Sequence, residues 1–296
     1  MAEPAPPTLV QAWTAARDRL KGAGVDSPVM DARLLVQAAA DAARADILTD
    51  PHRPLTADQQ ARLEDYVGRR ARREPVSRIL GRQGFRNIVL RVTPDVLSPR
   101  PDTETILDHV LGVFPEGMAF QALDIGVGSG AILLAILAER PAAKGLGTDV
   151  SPEALAVARE NAASLDLNSR AAFLHTSWAD GLADDGFDLV VSNPPYVATE
   201  VIGTLDPEVR DHEPRLALDG GPDGLDAYRA LAPEVLRVLK PGGMFAVEIG
   251  HDQAGSVSRL FLEAGARDLQ VLRDLGDRDR VVAGLKNPLG KAARTG

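Results

Sequence analysis

Ala122-Leu123-Asp124-Ile125 runs into Gly126-Val127-Gly128-Ser129-Gly130, and this in turn into Ala131-Ile132-Leu133-Leu134-Ala135-Ile136-Leu137-Ala138. A short apolar run, a glycine-rich turn and a longer apolar run read as strand, tight turn and helix. Glycines at the turn allow positive φ and a close approach of backbone to a ligand. Working outward, further apolar runs alternate with helical patterns: Lys144-Gly145-Leu146-Gly147-Thr148, Ala172-Phe173-Leu174-His175, Phe187-Asp188-Leu189-Val190-Val191-Ser192 and Gly243 to Ile249, with an end pair near Leu269–Leu272 and Arg280–Ala283. The predicted fold class is therefore α/β: a Rossmann-like, mostly parallel seven-stranded sheet with helices on both faces.

With Ala131 in the last slot the glycine string satisfies the relaxed dinucleotide fingerprint, so the loop alone leaves a nicotinamide site and an S-adenosylmethionine site both open. Asp124, Gly126, Val127, Gly128, Ser129 and Gly130 are its candidate cofactor contacts. Asp149 ends the second strand, 19 residues past Gly130, where a carboxylate accepts hydrogen bonds from ribose hydroxyls. The bland alternative is a helix-entry acid, because Ser151-Pro152-Glu153 supplies an N-cap, a first-turn proline and a first-turn acid. Trp178 follows the third strand; its ring suits an adenine face, though a merely packed Trp fits as well.

The fourth strand runs directly into Asn193-Pro194-Pro195-Tyr196. Two prolines cannot continue a sheet ladder, so the strand stops there and the chain leaves extended. In an open parallel sheet that edge is the ligand crevice. The Asn193 side-chain oxygen and the Pro194 carbonyl offer two acceptors for an N–H₂ group, and the Tyr196 ring can stack on a planar one. The alternative is a Pro-rich turn with a buried Tyr.

The glycine loop, the acid at Asp149 and the Asn-Pro-Pro-Tyr string together resemble a class I S-adenosylmethionine-dependent N-methyltransferase. Three further stretches narrow the resemblance: Glu74-Pro75-Val76-Ser77-Arg78-Ile79-Leu80-Gly81, Leu97-Ser98-Pro99-Arg100-Pro101-Asp102-Thr103-Glu104 and Glu213-Pro214-Arg215-Leu216-Ala217-Leu218-Asp219-Gly220-Gly221. Their order and spacing, from about Val10 to Leu285, are similar to the family that methylates a glutamine side-chain amide (N5) in class 1 peptide chain release factors. Sister enzymes acting on a ribosomal-protein glutamine share the tetrapeptide but typically differ after the Pro-Arg; Pro101-Asp102-Thr103-Glu104 favours the release-factor branch. Ser177 departs from the family, whose members often carry an acid before the Trp, and this puts recognition of the adenine amino group in question.

The resemblance implies S-adenosylmethionine as cofactor, a release factor as protein partner, Asn193, Pro194 and Tyr196 as catalytic residues, and substrate contacts from Asn193, Pro194, Pro195, Tyr196 and Arg100. It also implies cofactor contacts from Asn193 and Trp178 beside the loop and Asp149, and a division into a helical substrate-binding domain (1–82), a hairpin and linker (83–104), a methyltransferase domain (105–286) and a flexible tail (287–296). Two rivals remain on sequence: a nucleic-acid adenine N6-methyltransferase, whose base presents the same planar N–H₂, and a binding module that retains only the fold.

The small N-terminal domain reads as all-helical. Leu9, Trp13, Ala16 and Leu20 recur at helical intervals, Ser27-Pro28 opens a second helix, and Thr56 with Gln59 forms a capping-box signature before Leu63, Tyr66 and Val67. Ile88 to Val92 suggests a strand or hairpin connector. At 296 residues and 45% hydrophobic, the chain can hold two cores. Zero cysteines exclude disulfides and thiolate catalysis and suit the cytoplasm; the five scattered histidines lack ligand spacing, so no metal is expected. No apolar run approaches a membrane span, and Met1-Ala2-Glu3-Pro4 opens no signal peptide. From Arg69 to Arg100 nine arginines face two acids, net +7 in a chain of −9. That strip steers an acidic protein partner, touches RNA if the substrate is met on a ribosome, or simply pairs with nearby acids. Overall acidity argues against stable nucleic-acid binding, and a monomer is expected.

Overall fold

A computed structural model describes residues 5–288. The expected tail at 287–296 lies outside the described residues from 289 onward. The chain forms two compact units, one holding the residues up to Gly81 together with Asp206–His212, the other running from Arg82 to Leu205 and resuming at Glu213.

In the first unit, helices Leu9–Gly22, Pro28–Ala39 and Ala57–Ala71 bury one stripe each, with Leu9, Ala12, Ala16 and Leu20 against Leu35, Val36, Leu63 and Val67. The capping box forms: the Thr56 hydroxyl accepts from Gln59 N at 3.3 Å and the Gln59 Oε1 accepts from Thr56 N at 3.0 Å. The short helix Pro207–Arg210, distant in sequence, is held by ion pairs. Glu208 Oε1 accepts from Arg70 Nη1 at 3.0 Å and from Arg73 Nε at 2.6 Å, and the buried Arg70 also pairs with Asp31 at 2.7 Å.

The second unit opens with an antiparallel hairpin of β1 (Arg82–Phe85) and β2 (Ile88–Arg91). Its seven-stranded sheet contains β3 (Gln121–Ile125), β4 (Lys144–Asp149), β5 (Ala171–His175), β6 (Phe187–Ser192), β7 (Leu239–Glu248), β8 (Ala266–Arg273) and β9 (Asp279–Lys286). The order is β5-β4-β3-β6-β7-β9-β8, parallel except that β9 runs antiparallel to both neighbours. Two apolar clusters cover the two faces, as the α/β reading predicts. β7 begins four residues before the expected Gly243. The Lys240-Pro241-Gly242-Gly243 run reads as a turn, yet the strand passes through it with a register shift against β6 and Gly242 at φ 78°.

Helix Ala131–Glu139 follows the glycine turn and buries Ile132 to Leu137 in succession. Glycines in β4 let the turn and its helix close on the sheet. A Cβ at Gly147 would stand 2.7 Å from Val127 Cγ2 and 3.0 Å from Phe173, and one at Gly145 would stand 2.4 Å from Leu133 Cδ1. Val127 has a stiff, branched side chain and cannot yield cheaply. Gly147→Ala is expected to destabilise the second unit by about 1–3 kcal/mol, the usual cost of overpacking. A urea unfolding midpoint equal to that of the wild type contradicts this account of the strand.

Candidate active site

β3 is paired in parallel on both sides, with Ile125 opposite Thr148 on β4 and Ser192 on β6. The residues that follow these three, Gly126, Asp149 and Asn193, therefore stand together at one edge of the sheet, Asp149 as the last residue of β4. They border a cavity of about 630 Å³ lined wholly by the second unit. Gly126, Gly128 and Gly130 have φ of 74°, 53° and 86°, and the Gly126 and Val127 amides donate to the Thr148 carbonyl at 2.8 and 2.9 Å. A Cβ at Gly126 or Gly128 would meet no protein atom within 4 Å, so the backbone conformation there, not crowding, calls for glycine.

Asp149 is oriented by two backbone amides. Its Oδ2 accepts from Gly128 N and its Oδ1 from Ser151 N, each at 2.9 Å. The Ser151 hydroxyl in turn caps its helix, accepting from Ala154 N at 3.0 Å. Asp149 thus sits at a helix entry and also lines the cavity, with lone pairs left for further donors. Trp178, half-buried, lines the same cavity with φ at 49°, a conformation a bulky residue adopts only when its surroundings enforce it. The Thr148 hydroxyl donates to its carbonyl at 2.7 Å. Ser177 also lines the cavity.

Asp124, Gly130 and Tyr196 do not line it. Asp124 is buried behind the loop; its Oδ2 accepts from Leu133 N at 3.2 Å and its Oδ1 has no partner. Burial, with Asp149 adding to it, pushes its carboxyl up to about 7. Gly130 instead packs close to Leu134, whose Cδ1 would be 2.8 Å from an added Cβ.

The tetrapeptide is held from several sides. Asn193 Nδ2 donates to Thr103 Oγ1 at 3.4 Å, and Pro194 and Pro195 line the cavity. The Tyr196 hydroxyl donates to Glu248 Oε1 at 3.4 Å, and burial raises its pKa. Gln253 Nε2 donates to the Tyr196 carbonyl at 3.0 Å and to that of Gly224 at 3.1 Å. Gly220 and Gly224 press on the same backbone: added Cβ atoms would lie 2.9 Å from the Pro195 carbonyl and 2.4 Å from that of Tyr196.

Arg100 lines the cavity and donates through Nη2 to Glu213 Oε1 at 3.1 Å. The Glu213 side chain, fully buried, also accepts from Ser98 N at 3.1 Å. This explains why Pro99-Arg100 and Glu213-Pro214, far apart in sequence, both matter to the crevice.

Thr103, Glu248 and Gln253 escaped the sequence reading. The available signal was Glu248 itself, an acid ending the apolar run Phe245-Ala246-Val247; buried, its carboxyl is pushed up to about 7, with the Thr103 hydroxyl and Arg280 pulling the other way. The basic strip largely pairs with acids: Arg69 with Glu74, Arg70 and Arg73 with Glu208, Arg86 with Glu139, Arg91 with Glu160, Arg100 with Glu213. Among the described residues no helix is long and apolar enough to cross a membrane.

Residues 117–263 match a family model described as a methyltransferase domain, and the sheet order with its glycine turn defines the second unit as a Rossmann-like methyltransferase. Residues 11–81 match the PrmC N-terminal domain. The chain is 67% identical over 97% of its length, and 99% of the relative's, to a release factor glutamine methyltransferase of Caulobacter vibrioides. It is 43% identical to that of Agrobacterium fabrum, over 90% of this chain and 94% of the relative, and 45% identical to that of Rhodospirillum rubrum, over 92% and 83%. The chain belongs to the release factor glutamine methyltransferase family.

The buried Asp124 gives the fold a definite pH dependence. Its folded pKa lies above the ordinary 3.8, so between that value and about 7 the native chain binds a proton that the unfolded chain has released, and stability falls as pH rises through that window. Asp124→Asn removes this contribution, so its stability relative to the wild type is expected to rise between pH 5 and pH 8 by up to a few kcal/mol. Urea midpoints of both proteins at the two pH values measure it; parallel pH dependences contradict it.

Proposed function

We propose that this enzyme transfers a methyl group from S-adenosylmethionine to the side-chain amide nitrogen (N5) of a glutamine in class 1 peptide chain release factors. The observation that carries the reading is the Asn193 amide. One of its N–H bonds goes to Thr103 Oγ1 at 3.4 Å, and Asn193 and Pro194 both line the cavity, where the Asn193 oxygen and the Pro194 carbonyl are the acceptors for a planar N–H₂ group. The names of the relatives, release factor glutamine methyltransferases, support the same acceptor.

The residues fit the cofactor. Asp149, fixed by two amides yet still able to accept, suits vicinal ribose hydroxyls; the open backbone at Gly126 and Gly128 suits close approach of the amino-acid portion; Trp178 suits an adenine face. When bound, S-adenosylmethionine supplies an electrophilic methyl on a sulfonium centre. The chain's own task lies at the acceptor. An amide nitrogen is a poor nucleophile because its lone pair is delocalised into the carbonyl. Asn193 Oδ1 and the Pro194 carbonyl accept its two N–H bonds and favour the pyramidal geometry reached as the new N–C bond forms, so they bind the transition state better than the planar ground state. The nitrogen then gives up one proton to solvent. Tyr196, anchored through its hydroxyl on Glu248 and its carbonyl on Gln253, keeps the tetrapeptide in place.

Residues 1–82 are assigned to gripping the protein substrate, 83–104 to connection and 105–286 to catalysis. Half-exposed Met30 and exposed Val29 and Leu48 border a cavity of the helical unit together with Trp13, an apolar surface suited to a protein partner. At least six of the nine strip arginines are paired to acids, so little of that charge is free for phosphate, and the enzyme is read as one that does not bind nucleic acid stably; a monomer in the cytoplasm remains part of the proposal.

Asp149→Ala is expected to weaken S-adenosylmethionine binding by about 1–3 kcal/mol through lost charge-assisted hydrogen bonds; unchanged affinity by calorimetry refutes the assignment. Asn193→Ala is expected to keep most cofactor affinity and lower kcat by about 10²–10³-fold, the scale for removing one preorganised polar contact to a transition state. The measurement is single-turnover methylation of a purified release factor, with mass spectrometry locating the product and adenine-containing DNA as the competing substrate. Methylation that persists after the target glutamine is replaced, or that goes to the DNA, overturns the reading.

A further inference from the structure

Asn161 stands inside the helix Pro152–Ser164, only 1% exposed. Asparagine is unfavourable in a helix interior because its amide competes with the backbone for hydrogen bonds, and a buried amide is costly unless its polar atoms are paired. Here they are paired. The Asn161 oxygen accepts from Arg91 N at 2.7 Å, and Nδ2 donates to the Arg91 carbonyl at 3.1 Å and to the Ser129 carbonyl at 2.8 Å. All three partners are main-chain groups of fixed polarity. Turned over, the amide would set its N–H₂ against the Arg91 N–H and its oxygen against two carbonyls, so it has one orientation.

The hairpin leaves Arg91 available for this contact. Phe85 and Ile88 flank a two-residue turn and form a hydrogen-bonded pair, and alternation along the ladder makes Arg91, opposite Arg82, a non-hydrogen-bonded one. Its N–H and C=O therefore both point away from β1, and the Asn161 amide meets them as a neighbouring strand would. Just beyond Arg91, Val92 and Val96 bury against Ala154 and Val157 of the same helix, and the chain from Pro94 to Leu97 lines the cavity. Ser129, the other partner, lines the cavity too, whereas Asn161 does not.

The glycine turn needs support from outside itself. Gly126, Gly128 and Gly130 all have positive φ, and glycine populates either sign of φ about as readily, so three glycines in five residues leave a loop with other conformations open to it. Asp149 takes the Gly128 amide, and Asn161 takes the Ser129 carbonyl. The peptide between Ser129 and Gly130 is planar, and its other edge, the Gly130 N–H, donates to the Val127 carbonyl at 2.8 Å. With both edges held, the plane of that peptide is fixed.

We propose that Asn161 is a positioning residue for the cofactor: from behind the cavity it ties the Ser129 carbonyl, and with it the glycine turn, to the main chain of Arg91, so that the loop holds its binding conformation before the cofactor arrives. The inference rests on S-adenosylmethionine as the cofactor of this cavity. Asn161 touches neither cofactor nor acceptor. Its effect is to remove the ordering cost that a free glycine loop would add to binding.

The test uses the full-length enzyme. Asn161→Asp keeps the shape and the acceptor for Arg91 N but sets an oxygen against the Ser129 carbonyl; Asn161→Ala removes all three bonds without adding charge and suits a helix. Each is expected to raise the Kd for S-adenosylmethionine, measured by calorimetry well below the unfolding temperature, by about 10–100-fold, the scale of losing preorganising hydrogen bonds. The KM for S-adenosylmethionine is expected to rise in step, while kcat at saturation and the KM for a purified release factor stay within about threefold of wild type, because the acceptor side is held by other groups. A merely structural role lowers the unfolding midpoint but leaves the folded protein's Kd in place. By hydrogen exchange of the cofactor-free protein, the Gly128 and Gly130 amides are expected to lose protection in Asn161→Ala relative to the amides of β3 and β6.

The wild type supplies a measurement that stands even if neither variant folds. The Asn161 side-chain N–H₂ is expected to be protected from exchange before any cofactor is added, and an amide that becomes protected only with S-adenosylmethionine bound overturns the proposal. So does a folded variant with wild-type Kd, or one whose loss falls on kcat or on the KM for the release factor. Failure of the wild type to bind S-adenosylmethionine is a separate result that removes the cofactor reading, whereas a binding wild type and an equally binding Asn161→Ala remove only the positioning role.

Discussion

The site depends on the parallel pairing of β3 with a strand on either side. Ile125 stands level with Thr148 and with Ser192, so the next residue of each strand emerges at the same height. Parallel strands all present their carboxyl ends to one edge, which is why three segments separated by dozens of residues can converge without any one of them being long. A register slip of one residue in β6 would turn Asn193 to the opposite face and separate it from Thr103. The apolar residues of β3, β6 and β7, buried on both faces, hold that register against slippage.

Two carboxyls sit within this edge at a cost. Asp124 is behind the glycine loop and Glu248 behind the tetrapeptide, each buried and each pushed up to about 7 by that burial. Asp124 takes one backbone amide of the helix after the loop, and Glu248 takes the Tyr196 hydroxyl. The two parts of the crevice are thus each backed by an acid that does not line it. Asp149, by contrast, lines the cavity and has both oxygens engaged by backbone amides, so its position is set by the loop it faces.

The tetrapeptide owes its shape to a distant glycine-rich segment. Val197 N donates to the Leu218 carbonyl at 2.9 Å and Gly220 N to the Val197 carbonyl at 2.8 Å, so the chain leaving Tyr196 is paired as a short parallel bridge. No side chain fits at Gly220 or Gly224 without displacing the Pro195 and Tyr196 backbone. The prolines end β6, and the glycines let the returning segment lie directly against the main chain of Pro195 and Tyr196. Between Leu205 and Glu213 the chain joins the helical unit, where Glu208 is gripped by Arg70 and Arg73.

Local sequence was enough for the elements and for much of the site. Glycines open a positive-φ turn closed to other residues, a proline pair ends an apolar run, and Thr56 three residues before Gln59 caps a helix, and the structure uses each of these local signals. Membership of the methyltransferase class was legible for the same reason, since Gly126 to Gly130, Asp149 and Asn193 to Tyr196 are contiguous strings. Tertiary structure alone decided what stands behind them. Thr103 and Asn193 are 90 positions apart and Tyr196 and Glu248 are 52; only the fold, with β7 beside β6, brings the Thr103 hydroxyl to Asn193 and the Glu248 carboxyl to Tyr196. Likewise the nine arginines of the Arg69 to Arg100 stretch read as a basic strip because their acids, Glu208, Glu139, Glu160 and Glu213 among them, lie far along the chain. Sequence determines which groups can donate, accept or bend; whether a charge is free or spent depends on partners that only the folded chain brings within a few ångströms.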